Sequence, residues 1–273
     1  MEAIILGTSA AEGIPALFCG CDACQSARIA GGKDIRARQS LYLPPDIVID
    51  LGPDCLYAVH RFGLDWSALS TLLYTHSHSD HCVPQELEYV RPVFANHRKA
   101  NGLDVYGNEG VRASIQSTLD EHEDVRLHPA PPFVPIQLPN ATAVPVPSHH
   151  KTDGEETLNY IITRDGKSLL CAWDTGYYDE ETWEFLKTVR LDGVLVECTF
   201  GANKRDPKWP YHLDLPSAVA LRDRLQAQGT LVEDAPGIIT HFSHNGVLPY
   251  EAFQDLAGTF GMQVAYDGMR VTL

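Results

Sequence analysis

The sequence predicts one α/β domain of layered sheets and helices, with strands in the majority. Three observations carry that expectation. Short β-branched and apolar runs recur from end to end, and several are apolar without alternation, which is how strands buried on both faces read. Helical patterns are fewer but interleave with these runs throughout. No Pro/Gly/Ser-rich linker divides the chain, so residues 1–273 are expected to form a single domain.

In chain order, MEAIILGTSAAEG reads as a first strand running into a Gly-rich turn, with too short an apolar run and no basic leader for a signal peptide. A helix is expected near 22–30. Strands SLYL and DIVIDLG follow, then a helix over 53–62, strand LSTLLYT, a helix over 84–98, strand LDVYG and a helix over 109–118. HPAPPFVPIQLP at 128–139 reads as a Pro-rich surface connection. Strands ATAVPVP, NYIIT and SLLCAWDT come next, then a helix over 179–188 and strand GVLVECT. The clearest helix is 215–228, with Asp214 or Leu215 before it, Pro216 in its first turn and Gly229 as its stop. Strand GIITHF, a helix over 249–259, and strands QVAYDG and RVTL complete the chain.

Composition narrows the classes of function. With 21 basic and 36 acidic residues the formal net charge is −15, which repels a nucleic-acid backbone over most of the surface. No apolar run approaches the roughly 18 residues needed to span a membrane. Seven cysteines, four of them scattered singly (Cys55, Cys82, Cys171 and Cys198), do not resemble a secreted disulfide framework. Those four read as buried small hydrophobes. The expected location is the cytoplasm.

The densest chemical signal is YTHSHSDH, residues 74–81, where a strand ends directly in His76, His78, Asp80 and His81. Imidazoles together with a carboxylate suit Zn²⁺, Mn²⁺ or Fe²⁺. Four donors from one short loop cannot all reach one ion in good geometry and are more naturally shared between two. Further donors stand at other strand ends: His149 and His150 in VPVPSHHKT, Asp174 in LLCAWDTGYY, His241 and His244 in GIITHFSHN. Each alone reads as a turn or cap residue. Together they make a site. A second cluster, FCGCDAC, sets Cys19, Cys21 and Cys24 within six residues. It reads as a redox pair with a spare thiol, a disulfide fragment, or three ligands of a metal site that needs a fourth.

HxHxDH after a strand, followed by His, Asp and His at spaced strand ends, resembles the metallo-β-lactamase superfamily. Within it, GTSAAEGIPALFCGCDAC is similar to the N-terminus of the PhnP-type phosphodiesterases, which act on phosphoribosyl cyclic phosphate. THFSH and YDGMRV match the same family, so the resemblance covers essentially the whole chain. It implies an αββα sandwich with a dinuclear metal centre at the sheet edge. His76, His78 and one of His149 and His150 would hold the first ion, the context HKTDGEETLNY favouring His150. Asp80, His81 and His241 would hold the second, with Asp174 bridging both and a shared hydroxide as nucleophile. Mn²⁺ and Zn²⁺ both suit that donor set. The resemblance also implies a structural Zn²⁺ on Cys19, Cys21, Cys24 and His244, a closed tetrahedral set. Asp50 in IVIDLG would orient a metal-bound histidine. His212 in WPYHLDLPSAV would be the general acid, with Asp80 the other catalytic residue.

The reaction this implies is hydrolysis of a small, cyclic phosphodiester. The alternatives are another hydrolase on the same core (a lactonase, a thioesterase or a tRNase Z-like nuclease) and a metal-binding accessory protein of cofactor biosynthesis. Two departures bear on substrate identity: NGVLPY after THFSH lacks the acidic residue common there, and YHLDL keeps only part of the family's loop. A homodimer would follow the family. His60, His97, His122 and His128 read as surface residues, and Arg91, His97, Arg98 and Lys99 as a solvated helix face.

Overall fold

The structure, a computed structural model, describes residues 1–118, 123–150, 154–204 and 209–273. The first half runs β1 (Glu2–Gly7), α1 (Asp22–Ala30), β2 (Ser40–Leu43), β3 (Ile47–Ile49), α2 (Cys55–Phe62), β4 (Thr71–Leu73), β5 (Leu103–Gly107), α3 (Glu109–Thr118) and β6 (Val125–Pro129). The second runs β7 (Ile136–Leu138), β8 (Ala141–Pro147), β9 (Leu158–Arg164), β10 (Lys167–Ala172), α4 (Glu180–Leu186) and β11 (Gly193–Glu197). It continues through α5 (Leu215–Ala227), β12 (Gly237–Thr240), α6 (Tyr250–Gly258), β13 (Met262–Val264) and β14 (Arg270–Thr272).

These strands form two seven-stranded sheets, ordered β14-β1-β2-β3-β4-β5-β6 and β13-β12-β11-β10-β9-β8-β7. Each sheet is antiparallel at one end and parallel at the other. The parallel runs are β3 to β6 in the first sheet and β10 to β13 in the second. β14 pairs antiparallel with β1, Glu2 opposite Thr272, so the chain's last strand closes the sheet its first one opened. The sheets face each other across one apolar layer, with Ile5, Leu41, Ile47 and Leu73 on one side and Leu158, Tyr160, Leu169 and Leu195 on the other. Outside the second sheet, Trp183 of α4, Leu221 and Leu225 of α5 and Phe253 of α6 pack on Leu170, Val194 and Ile239. Outside the first, Ala58 of α2 and Val111 and Ile115 of α3 pack on Val48, Leu72 and Val105. The result is an αββα sandwich. Both faces of the central strands are therefore buried, which is why their sequences are continuously apolar.

α5 starts as its sequence predicts, with the Asp214 carboxylate accepting the Ser217 N–H and Pro216 in the first turn. Two stretches differ from expectation. The helix expected over 84–98 is a short 3₁₀ helix, Pro84–Val90, followed by turns. Pro92 accounts for the stop, because it drives Arg91 out of the helical region (ψ 144°). The Pro-rich connection 128–139 contains the end of β6 and all of β7. Both are edge strands, where a missing proline N–H leaves no ladder bond unmade.

Candidate metal centre and active site

The strand ends converge. Asp50 follows β3, the His76–His81 loop follows β4, His150 follows β8, Asp174 follows β10, Glu197 ends β11 and His241 follows β12. Side chains at the carboxyl ends of parallel strands project into one crevice, here at the edge of both sheets. Asp50, Asp174 and His241 have left-handed backbones (φ 64°, 49° and 57°), which turn the chain sharply as each leaves its strand. Two glycines allow the loops to close in. A Cβ on Gly52 would sit 2.2 Å from the Asp80 carbonyl oxygen, and one on Gly176 would overlap the Pro210 carbonyl oxygen.

The structure brings the expected donors into two adjoining groups: His76, His78 and His150, then Asp80, His81, Asp174 and His241. Asp174 faces both, Oδ2 lying 2.6 Å from His81 Nε2 and 3.0 Å from His241 Nε2, and Oδ1 3.8 Å from His150 Nε2. His149 turns away, its ring stacked on Tyr211 and its Nδ1 3.5 Å from Asp179. Of the two neighbouring histidines, His150 is the one at the cluster.

A layer of oxygens fixes the imidazoles. Asp50 is fully buried and accepts four hydrogen bonds: Thr75 N–H (2.8 Å), Thr75 Oγ1–H (2.9 Å), Trp173 Nε1–H (2.7 Å) and His81 Nδ1–H (2.8 Å). Since the Thr75 hydroxyl donates to Asp50, it accepts from His76 Nδ1 at 3.0 Å. Likewise the Thr199 hydroxyl donates to Glu197 (2.6 Å) and accepts from His241 Nδ1 (2.9 Å). Each of the three rings is thereby left with its Nε2 lone pair aimed into the crevice. His81 Nε2, His241 Nε2 and Asp174 Oδ2 are buried and make no hydrogen bond. Lone pairs facing one another at 2.6–3.0 Å repel unless a cation lies among them. Burial alone would lower the His81 pKa, but Asp80, Asp174 and Asp50 raise it well above its ordinary value, so Nε2 calls for positive charge, a proton when no ion is bound or a metal cation in its place. Imidazole and carboxylate donors in two sets sharing Asp174 fit a pair of divalent ions.

The second cluster is also assembled. The Sγ atoms of Cys19, Cys21 and Cys24 lie 3.3, 3.3 and 3.4 Å from His244 Nδ1. One ring nitrogen cannot hydrogen-bond three sulfurs at once. Zinc bonds of about 2.3 Å to sulfur and about 2.0 Å to nitrogen, at a tetrahedral angle, separate those atoms by about 3.5 Å. The four donors fit that geometry. The amide of Cys24, at the start of α1, together with His244 and Cys19 pulls the Cys21 thiol down to about 6. The other four cysteines are buried, and all seven are free of disulfides.

His212 precedes α5 and lines the same 570 Å³ cleft as His78, Asp80, His150, Asp174 and His241. Its Nδ1 lies 3.0 Å from Glu197 Oε1, leaving Nε2 as its free nitrogen. Burial would lower its pKa, but Glu197 and then Asp174 raise it to about 9. Cations bound alongside would draw that value back towards neutrality.

Glu197, Thr75, Thr199 and Trp173 were not singled out by sequence. Glu197 carried a signal: it is a lone charge closing an otherwise apolar strand, GVLVE. The threonines and the tryptophan carried none. Of the remaining histidines, His60 and His97 are exposed. His128 is half-buried, stacked on Tyr106 and 2.7 Å from Asp104 Oδ1, because it sits on β6 and not in a loop. His122 lies outside the described residues.

Fold and site together define a metal-dependent hydrolase of the metallo-β-lactamase type. The model of the Beta-lactamase superfamily domain matches residues 46–232, and the chain belongs to that superfamily. Its fold is similar over its whole length to that of a diphosphatase of the PhnP family (22% identity, TM-score 0.75, 98% of that chain). Zn²⁺-bound PqqB from Methylobacterium extorquens is likewise similar (16%, TM-score 0.78, 100% of each chain), as is the short form of human tRNase Z (15%, TM-score 0.67, 100% of this chain and 99% of that one). In sequence, 165 residues are 31% identical to an octanoyltransferase of Porphyromonas gingivalis (strain ATCC BAA-308 / W83). That match spans 55% of this chain and 31% of the relative. Among the described residues no helix is long and apolar enough to cross a membrane.

Proposed function

We propose that the chain hydrolyses a small phosphodiester, a ribose-type cyclic phosphate being the favoured substrate, at a dinuclear centre of Mn²⁺ or Zn²⁺. Two divalent ions supply a nucleophile at neutral pH and offset charge on the phosphoryl group. The chain's own part is positional. Asp174 presents one oxygen to each donor group, and Asp50, Thr75 and Thr199 hold the histidines in one tautomer. The observation that carries the reading is the His212–Glu197 pair. Glu197 accepts Nδ1–H and, by raising the His212 pKa, favours the imidazolium, whose Nε2–H is the proton that a departing alkoxide requires. The likeness to a PhnP-family diphosphatase supports phosphoryl chemistry at the level of fold. In this reading residues 1–273 act as one domain, since both sheets contribute donors, and the seven free thiols suit a reducing cytoplasm.

The test is the leaving-group dependence of His212→Ala in metal-loaded protein. On a ribose cyclic phosphate the variant should lose about 10²–10⁴ in kcat, the range of general acid catalysis. On a 4-nitrophenyl phosphodiester, whose leaving group needs no proton, the loss should be far smaller. Equal losses on both would remove His212 from the acid role. Turnover of a simple lactone alone would replace the phosphodiesterase reading with another hydrolase on the same centre. No turnover of any of them would favour the accessory role.

A further inference from the structure

Asp50, Thr75 and Thr199 fix the rings of His81, His76 and His241, and among the described residues no hydroxyl or carboxylate does the same for His78 or His150 by a hydrogen bond. His78 is exposed, and His150 Nδ1 is buried without a hydrogen bond. With His76 these two make up the first donor group, so that half of the centre is held in another way. The means is Ser77, the residue between His76 and His78. Its N–H donates to Glu155 Oε1 at 2.9 Å and its hydroxyl to Glu155 Oε2 at 2.6 Å, so a single carboxylate takes both of its donors. An ionised acceptor holds such donors more strongly than a neutral one would. Glu155 follows His150 on the connection from β8 to β9. The pair therefore ties the loop that carries His76 and His78 to the loop that carries His150.

The half-buried Glu155 sits in a place shaped for it. A Cβ on Gly110, in the first turn of α3, would lie 2.6 Å from Glu155 Cδ and 2.7 Å from Oε1, so glycine is what leaves room for the carboxylate in this position. Asn108 holds the backbone beside it: its Nδ2–H donates to Glu156 O at 2.6 Å, while its Oδ1 accepts the Val111 N–H at 2.9 Å. The opening turn of a helix also favours a negative charge. Glu155 does not line the cleft that the metal donors line, so its effect on the centre runs through Ser77.

We propose that Glu155 is a positioning residue of the metal centre, clamping the His76–Ser77–His78 segment against the His150 loop and so setting the affinity of the first ion. Three imidazoles from two loops bind one ion tightly only if their separation is fixed beforehand. The clamp fixes it through the backbone, where Asp50, Thr75 and Thr199 act on the rings themselves. The inference rests on the dinuclear reading above and is independent of the substrate proposed there.

The test is metal binding by the full chain. Metal-free protein is titrated with Zn²⁺ against a chromophoric chelator, and with Co²⁺ in parallel, so that thiolate absorption reports the Cys₃His site separately. Glu155→Ala should weaken one of the two ions of the centre about 10–100-fold, the usual effect of removing a residue that supports a ligand. The other ion of the centre should change far less, and the thiolate-bound ion not at all. Gly110→Ala should have the same effect with Glu155 still present, because its methyl group fills the carboxylate's seat. It should not lower the Tm of the metal-free protein, since alanine suits a helix better than glycine. Gly110→Ala decides the matter if Glu155→Ala fails to fold. Wild-type affinity for both ions in the deciding variant would overturn the clamp. So would equal weakening of both, which a general loss of order would produce. A wild type that binds no pair of ions at this centre would overturn the dinuclear reading, and the clamp with it.

Discussion

Asp267 offers a quantitative test of the packing that holds the sandwich shut. It is fully buried between the β13–β14 turn and the start of the chain. Its Oδ1 accepts Thr8 Oγ1–H at 2.8 Å and its Oδ2 the Ala37 N–H at 2.6 Å. Burial outweighs these bonds and the nearby Arg36, lifting its pKa from 3.8 to about 6. The folded state therefore holds this proton more tightly than the unfolded chain does. The stability it contributes is fully present below pH 3.8 and is lost as pH rises through about 6. The interval from 3.8 to about 6 corresponds to about 3 kcal/mol, of which about 2 kcal/mol falls between about pH 4.5 and about pH 7.5. Asp267→Asn removes the titration, keeping the Ala37 bond and reversing the direction of the Thr8 one. The amide oxygen can take the Ala37 N–H, and the amide nitrogen can donate to Thr8 Oγ1, which already accepts from Arg36 at 2.9 Å. Urea unfolding of both proteins across that pH range, taken as the difference at each pH, cancels the protonation of metal ligands common to both. The variant should gain about 2 kcal/mol on wild type as pH rises. A difference that stays flat, or slopes the other way, would show that Asp267 is already ionised in the folded protein at acid pH.

Two further outcomes follow from the site. Glu197→Gln replaces an acceptor of five donors, Thr175 N–H, His212 Nδ1–H, Thr199 N–H, Thr199 Oγ1–H and Leu213 N–H, with a group that accepts through one oxygen only. At least one buried donor is stranded, for a loss of about 1–3 kcal/mol by thermal or urea unfolding. The rate loss should follow leaving-group basicity as it does for His212→Ala; a variant slowed equally on all esters would reduce Glu197 to a packing role. Cys21→Ala should remove one zinc per chain, counted by elemental analysis, and lower Tm; an unchanged metal count would dismiss the Cys₃His site.

How much of this was legible beforehand depends on whether a residue's meaning is local. His76, His78, Asp80 and His81 announce themselves because four donors share one strand end, and Asp174 and His241, each a turn or cap residue alone, are legible once set beside them at strand ends. The strands' unbroken apolarity announced sheets buried on both faces, while the αββα arrangement of two sheets came from the family resemblance. The resemblance favoured His150 over His149, and geometry supplies the reason: adjacent residues point to opposite sides of the chain and only one side faces the crevice. Trp173 could not be read at all. Its task is to bond Asp50, 123 residues away on the other sheet, and its sequence context is that of any core aromatic. The same holds for Thr75 and Thr199, whose hydroxyls matter only because each stands between a carboxylate and an imidazole.

The departures from local rules cluster where the donors do. Asp50, Asp174 and His241 adopt a left-handed backbone, at an expected cost of about 1–3 kcal/mol each, at the mouths of strands that are otherwise ideal. Around them, buried lone pairs face one another with nothing in the chain to separate them. Neither feature stabilises the fold, and a sandwich with this core could close its strand ends more cheaply. Both make sense if the strands serve as a rigid frame that holds seven donors in place before the ions arrive, so that binding them needs little rearrangement. The frame explains why the fixing oxygens sit one position from the ligands, Thr75 beside His76, or at the end of the neighbouring strand, Asp50 to His81. It also explains why His212, the proposed proton donor, is the exception: it stands in a loop before α5, and Glu197 at the end of β11 is the means by which the frame reaches it.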